Sequence, residues 1–446
     1  MYMGLRKYIS FLSAAALISL CQPAAAQEKW SLQMCIDHAM EYNLQLKQMQ
    51  HDKEIAGNNL TQSKLEYIPS VNASMGHNMS WGRSVNLNDL EIVENKLSQS
   101  SSLNLSASMP LFEGFRRKNT IESNKISLEL AQANIDALEN DISLAVTRGY
   151  LQVLLAKEIE ATAIRSCQAA AEQVEKTAAM TDAGSQPYSA LLEVKSQLAN
   201  ENVQLVAARN NTSAALLELA HIMGITKPLE FDVEIPASVG DEILPVKEED
   251  IMDIFNSTAQ LQPSVKKSEI ALQQSETQLK IQKGAALPTL SISAGYGTYY
   301  SDSQDAAFFT QFNNNRNPSV GLSMSIPIFN NWRNSSAVKN ARANVRKSKI
   351  GEEMAHQELI KQISTAYNDV LGGYEKLKAA QANKEAAAET FSHTSEKFNL
   401  GMISGTDYTT AKNNLLRAES EYIQCKYQYL FQKKILDFYK LVPLTL

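Results

Sequence analysis

Along Val71-Asn72-Ala73-Ser74-Met75-Gly76-His77-Asn78-Met79-Ser80-Trp81 the chain alternates at every residue: odd positions are apolar or aromatic, His77 among them, and even positions are Asn, Ser or Gly. A period of two is that of a β-strand whose two faces differ. The polar face carries no charge, and the other face ends on Trp81. The alternation recurs at Leu103, Leu105, Ala107 and Met109, at Leu290, Ile292, Ala294 and Tyr296, and at Val320, Leu322, Met324 and Ile326. Strands are therefore predicted over 70–81, 101–110, 288–300 and 318–327.

A sheet in water could show this pattern by packing its apolar face on a core. Strands of about ten residues with aromatic ends match the outer-membrane barrel pattern instead, in which apolar side chains face lipid and small polar ones face water. Phe112, Tyr299, Tyr300 and Phe329 supply the further aromatic ends, and segments 82–100 and 301–317, rich in Asn, Ser and Asp, read as exterior loops. Four strands do not close a barrel, and an open edge in hydrocarbon leaves backbone groups without partners. Copies of the chain must complete it: two chains reach the roughly eight strands of the smallest membrane barrels, and three reach twelve.

The pattern occurs twice because the chain is duplicated, with a repeat of roughly 217 residues. Pro69 matches Pro288, Met109-Pro110-Leu111-Phe112 matches Ile326-Pro327-Ile328-Phe329, and Gly184 matches Gly401. Pro110 to Gly184 and Pro327 to Gly401 are both 74 residues. Between these landmarks the period lengthens to seven, as at Leu128, Ala131, Ile135, Leu138, Ile142 and Ala145, and at Tyr408, Ala411, Leu415, Ala418, Tyr422, Cys425, Tyr429 and Leu436. Such heptads predict coiled-coil helices. The first repeat, 27–223, then holds an inner helix 31–66, the first two strands, a long helix 116–183 and a return helix 188–221. The second, 249–446, holds an inner helix 249–284, the other strands, a long helix 334–400 and a return helix 406–440. A linker or equatorial region, 224–248, with Pro236, Gly240 and Pro245, separates them. A helix over 116–183 would reach ~100 Å at about 1.5 Å per residue. The expected fold class is mainly α with a small membrane β-barrel shared between subunits and continued by a helical tunnel. The barrel–helix junctions fall at Pro69, Pro110, Pro288 and Pro327.

Residues 1–26 carry Arg6 and Lys7, an apolar run from Ile9 to Leu20, and Ala24-Ala25-Ala26, the order of a secretory signal peptide cleaved after Ala26. Twelve apolar residues fall short of the ~20 that span a bilayer. Cys21 raises lipid attachment as a minority alternative. Lys+Arg 42 against Asp+Glu 48 argues against a nucleic-acid partner. Cys35, Cys167 and Cys425, odd in number and widely spaced, read as small packed thiols rather than a disulfide framework.

No site chemistry emerges. The six histidines show no metal-ligand spacing, Gly295-Tyr296-Gly297 lacks the third glycine of a dinucleotide turn, and no P-loop or GxSxG elbow is present. The reading is a non-enzyme without cofactor or metal.

The stretch Lys397-Phe398-Asn399-Leu400-Gly401-Met402-Ile403-Ser404-Gly405-Thr406-Asp407, with the duplication and the two Pro-apolar-Phe elements, resembles the TolC-like outer-membrane efflux channel family over essentially the whole chain after residue 26. The resemblance implies a homotrimer with a twelve-stranded barrel in outer-membrane lipid and a helical conduit through the periplasm of a Gram-negative bacterium. It implies a passive component of a tripartite efflux or type I secretion system, opened by a periplasmic adaptor and an inner-membrane pump of RND or ABC type. The alternative is an adaptor-like or structural coiled-coil envelope protein without a pore. The resemblance further implies a periplasmic gate and adaptor tips at Thr181, Asp182, Gly184, Gln186, Tyr188, Lys397, Gly401, Ser404, Thr406 and Asp407. The family's usual Tyr and Arg slots hold Thr181 and Gln186 here, with Asp182, Lys397 and Tyr188 as substitutes. Asp407 and Glu193 stand in slots that line an acidic constriction in some relatives. Asp407 also fits a cap for a helix starting at Tyr408.

Overall fold

The computed structural model describes residues 29–85, 92–225, 231–236, 249–442 and 444. The 1–26 segment, Cys21 and most of 224–248 lie outside the described residues. In chain order the elements are α1 (Leu32–Tyr42), α2 (Leu44–Leu65), β1 (Ser70–Val85), β2 (Ile92–Glu113), α3 (Arg116–Asp182), α4 (Tyr188–Met223), α5 (Ile251–Thr258), α6 (Pro263–Gly284), β3 (Thr289–Ser301), α7 (Phe308–Asn314), β4 (Asn317–Ser325), α8 (Arg333–Asn399) and α9 (Gly405–Tyr439). The strands form one antiparallel sheet in the order β1-β2-β3-β4. Among the described residues no helix is long and apolar enough to cross a membrane.

Three boundaries differ from the sequence reading. The inner helices 31–66 and 249–284 are each two helices. At the first break Asn43 leaves the helical conformation, and its side-chain oxygen accepts from the Gln45 and Leu46 amides (2.9 and 3.2 Å). Asx residues compete with the helical backbone in this way. At the second, Gln262 is extended before Pro263, which cannot continue a preceding helix but starts a new one at no cost in hydrogen bonds. The expected exterior loops are the third difference. β1 and β2 extend to Val85 and from Ile92, so most of 82–100 is paired strand. Segment 301–317 contains α7, whose buried Gln311 donates to the carbonyls of Ser301, Gln304 and Ala306 and accepts from the Ser301 amide.

The two long helices are equal. Arg116 to Arg333 and Asp182 to Asn399 are both 217 residues, and each helix has 67. At ~1.5 Å per residue each is about 100 Å long.

The fold divides into two compact units. One contains the sheet, described parts of 48–136 and of 261–357. Its helical part packs α3 on α6 through Ile126, Ala133 and Ile270. The other contains described parts of 1–47, 137–260 and 358–446. There Trp30 and Val233 form a parallel bridge, the Tyr150 hydroxyl donates to the carbonyls of Glu234 (2.7 Å) and Trp30 (3.3 Å), and Lys157 pairs with Asp232. Val370, Leu377, Tyr429 and Leu436 form a core between α8 and α9, against which Cys425 packs. Cys35 is fully buried, and Cys35, Cys167 and Cys425 are free thiols.

Candidate functional site

The sheet register sets two chemically distinct faces. Val71, Ala107, Ala294 and Val320 stand in one row across all four strands, and Ala73, Leu105, Tyr296 and Pro318 in another. The intervening rows read Asn72, Ser106, Gly295, Ser319 and Ser70, Ser108, Ser293, Gly321. The apolar face is not covered by the chain itself: Met75 is 83% exposed, Val320 79% and Leu322 68%. Within the described sheet β1 and β4 each pair on one side only. A contiguous exposed apolar face of this kind marks a surface meant for lipid or a partner.

At the strand ends, Pro69 and Pro288 directly precede β1 and β3, and Pro327 lies in the connector after β4. Pro110 does not form a junction. It lies within β2 opposite Ser291, at a register shift before Phe112, where a bulge accommodates the missing amide. The strand-to-helix turn is made instead by Gly114 (φ 61°) and Phe115 (φ 62°), and in the second half by Asn331 (φ 53°) and Trp332 (φ 65°). Gly114 has a second reason to lack a side chain, because a Cβ there would strike the carbonyl of Gly284. Arg117 ties the turn together, donating to the Pro110 carbonyl (3.3 Å), pairing with Glu113 (3.4 Å) and lying over the Tyr67 ring.

In the other unit the two helix reversals lie side by side. α3 ends on Asp182, and Gly184 in the left-handed region (φ 74°) turns the chain, with the Ser185 amide and hydroxyl both donating to the Met180 carbonyl. α8 ends on Asn399, and Gly401 (φ 72°) makes the same turn, the Met402 amide donating to the Lys397 carbonyl. This is the Schellman closure that favours glycine after a helix. The turns are joined by Gln186, whose side-chain amide donates to the Phe398 carbonyl (3.2 Å). Behind them Leu191, Val194, Phe398 and Tyr408 form a buried cluster in which the Phe398 and Tyr408 rings stack at 4.8 Å. Burial, followed by Glu201, raises the Tyr408 hydroxyl pKa.

Asp407 does not cap a helix starting at Tyr408. The helix starts at Gly405, Ser404 is its cap, and Asp407 lies in its first turn. The Ser404 hydroxyl accepts from the Asp407 amide (3.2 Å) and donates to its carboxylate (2.8 Å). Glu193 reaches the same helix end from α4, its carboxylate occupying the space a Cβ on buried Gly405 would need. Both acids therefore sit at the positive end of the α9 dipole. Thr181 donates to the Thr177 carbonyl (2.9 Å) within α3, while Asp182, Tyr188, Lys397 and Thr406 are exposed. Lys397 and Asp407 line one groove between α8 and α9, with Arg417 further along it.

The family model for "Outer membrane efflux protein" matches residues 35–225 and 254–437. The chain belongs to this family. Outer membrane efflux protein BepC of Brucella suis biovar 1 is 20% identical over 419 residues, 93% of this chain and 86% of the relative. Outer membrane protein TolC of Escherichia coli strain K12 is 23% identical over 365 residues, 74% of this chain and 72% of the relative. The fold matches that of a crystal structure of CusC with a TM-score of 0.78 at 17% identity, covering 95% of each chain. As an outer membrane efflux protein the chain is a component of the Gram-negative outer membrane that extends into the periplasm.

Several residues of this efflux protein's reversals escape the sequence reading. Phe398 and Tyr408 are the packing centre of the turns, where they meet Leu191 and Val194 of α4, a partnership that the heptad at Tyr408 does not announce. Buried Gln197 donates to buried Glu201 (2.7 Å) and to Asn413 of α9 (3.3 Å), coupling the two return helices. Polar residues interrupting an apolar heptad face are the one signal that could have found them.

Proposed function

We propose that this protein is the channel-tunnel component of a tripartite efflux or type I secretion system, a passive conduit without catalysis that is opened by a periplasmic adaptor and an inner-membrane pump. The observation that carries this reading is the sheet: one continuous exposed apolar face, one Ser/Asn/Gly face and two edges paired on one side only. In hydrocarbon every backbone amide needs a partner, so β1 of one copy must pair with β4 of another. Three copies would close twelve strands, with the apolar rows toward lipid and the Ser/Asn rows around water. The lumen is then lined by small neutral groups, which suits a conduit that holds no cargo.

The helix reversals are the gate and the adaptor tips in this reading. Gln186 to Phe398 and Ser404 to Asp407 hold each tip in one arrangement, and exposed Tyr188, Asp182, Thr406 and Lys397 are available to neighbours. Three copies of Asp407, reinforced by Glu193, form an acidic ring that attracts cations.

Single-channel recording on detergent-purified oligomer tests both parts. Stepwise currents with cation preference are expected, and Asp407→Asn should lower that preference while conductance survives. Folded oligomer without currents refutes the conduit; unchanged selectivity in the variant refutes the ring.

A further inference from the structure

In the unit that carries the sheet, α6 and α8 lie antiparallel, a register set by two hydrogen bonds. The Asn334 side chain donates to the Ala285 carbonyl (3.0 Å), and further along the pair the hydroxyls of Ser275 and Ser348 are 2.6 Å apart. Counting six residues from that second contact, back along α6 and forward along α8, brings Glu269 opposite position 354. Glu352 and His356 flank this position one turn apart, so they share the face of α8 that Glu269 meets. One ligand atom from each of Glu269, Glu352 and His356 can be chosen so that all lie within 4.8 Å of one another, and all three side chains are half-buried.

The helix behind the cluster is packed against α3 on its other side. Next to Glu269, Ile270 is buried against Ile126 and Ala133 of α3, and Gln274 donates to the Ser127 hydroxyl of α3 (3.0 Å). The Glu269 carboxylate is thus presented to α8 from a helix fixed on its other side. Two carboxylates held this close repel unless positive charge lies between them.

We propose that Glu269, Glu352 and His356 form a binding site for one divalent first-row transition ion, with Zn²⁺ the best-suited. A mixed carboxylate and imidazole set matches that class, whereas Mg²⁺ and Ca²⁺ take all-oxygen shells. Metal–ligand bonds of about 2.0–2.2 Å put ligand atoms at most ~4.4 Å apart across the ion, so small rotations of the two flexible Glu side chains complete the geometry. Three protein ligands leave a position for water. The bound ion staples α6, which leads into β3, to α8, which follows β4, and so braces the second hairpin. This site is independent of the transport reading.

The test uses the full-length protein in detergent, stripped with a chelator and titrated with Zn²⁺ by calorimetry and with Co²⁺ by visible absorption. One ion per chain is expected, with Co²⁺ bands of a nitrogen–oxygen site. Loss of an outer-shell partner alone weakens metal sites 10–100-fold, so Glu269→Gln and His356→Gln should each weaken Zn²⁺ binding by about 100-fold or more. His51→Gln, at an exposed histidine beside Glu54, should leave binding unchanged. Absence of saturable binding overturns the proposal, as does binding that survives both site variants. Should a variant fail to assemble, the Co²⁺ spectrum of the unaltered protein decides, and its absence is a refutation.

Discussion

Gly114 shows how a single residue sets the passage from strand to helix. Its φ of 61° lies where a side chain is strained, and its missing Cβ lets the backbone approach the Gly284 carbonyl. Gly114→Ala should therefore cost about 1–3 kcal/mol, because strain and collision coincide and a carbonyl cannot rotate away. A thermal or urea midpoint equal to that of the unaltered protein would contradict this. A second residue-scale prediction concerns Cys35. Burial raises its thiol from 9.0 to about 12, so the folded protein keeps a proton that the unfolded chain releases between those values. The unfolded state binds fewer protons there, and stability contributed by this group falls as pH rises through that window. At pH 9 iodoacetamide should modify half-buried Cys167 and spare Cys35 until the protein unfolds, as peptide mass spectrometry would show. Equal labelling rates in the native protein would disprove the burial argument.

Among elements, α9 and β1 carry the clearest tests. The α9 N-terminus depends on Ser404, whose hydroxyl takes the Asp407 amide. Ser404→Ala should destabilise that end by ~1 kcal/mol and speed amide exchange in its first turn without altering the far end. Uniform exchange along α9 would argue against a local cap. In β1 the two faces should respond differently. Met75→Arg, on the apolar face, should cost ~2–4 kcal/mol near the bilayer midplane, whereas Ser74→Arg on the other face should be tolerated. Refolding into lipid vesicles measures this, and a reversed order would mean the faces are inverted. The inner helices illustrate what heptad counting misses. Asn43 bonds forward to Gln45 and Leu46 and also donates to the Ile222 carbonyl (3.2 Å), so the break between α1 and α2 serves a contact with α4 that no local pattern announces.

For the molecule as a whole, sheet and assembly are one event under the proposed function. An isolated four-stranded sheet with an exposed apolar face has no stable state in water, so β-structure and oligomer mass should be lost together on heating in detergent. Circular dichroism and light scattering on the same sample check this, and a β-rich monomer surviving past dissociation would show that edges need no partner. Both reversals, by contrast, are complete within one chain. Gln186 of one turn reaches Phe398 of the other, and Leu191, Val194 and Tyr408 pack around it.

Family membership, a largely helical chain and a four-stranded sheet were legible in order alone, because periods of two and seven are written in consecutive residues and a duplication prints each landmark twice. Gly184 and Gly401 were legible for the same reason, since a left-handed turn after a long helix selects glycine on the spot. Tertiary structure decided what depends on distant partners. Pro110 became a bulge rather than a junction because β2 runs on to Glu113 against β3. Glu193 was drawn to the start of α9, and Glu269 met Glu352 and His356 across a helix pair. None of these contacts leaves a periodic trace: side chains 83 residues or more apart meet only when packing fixes the register of the elements that carry them.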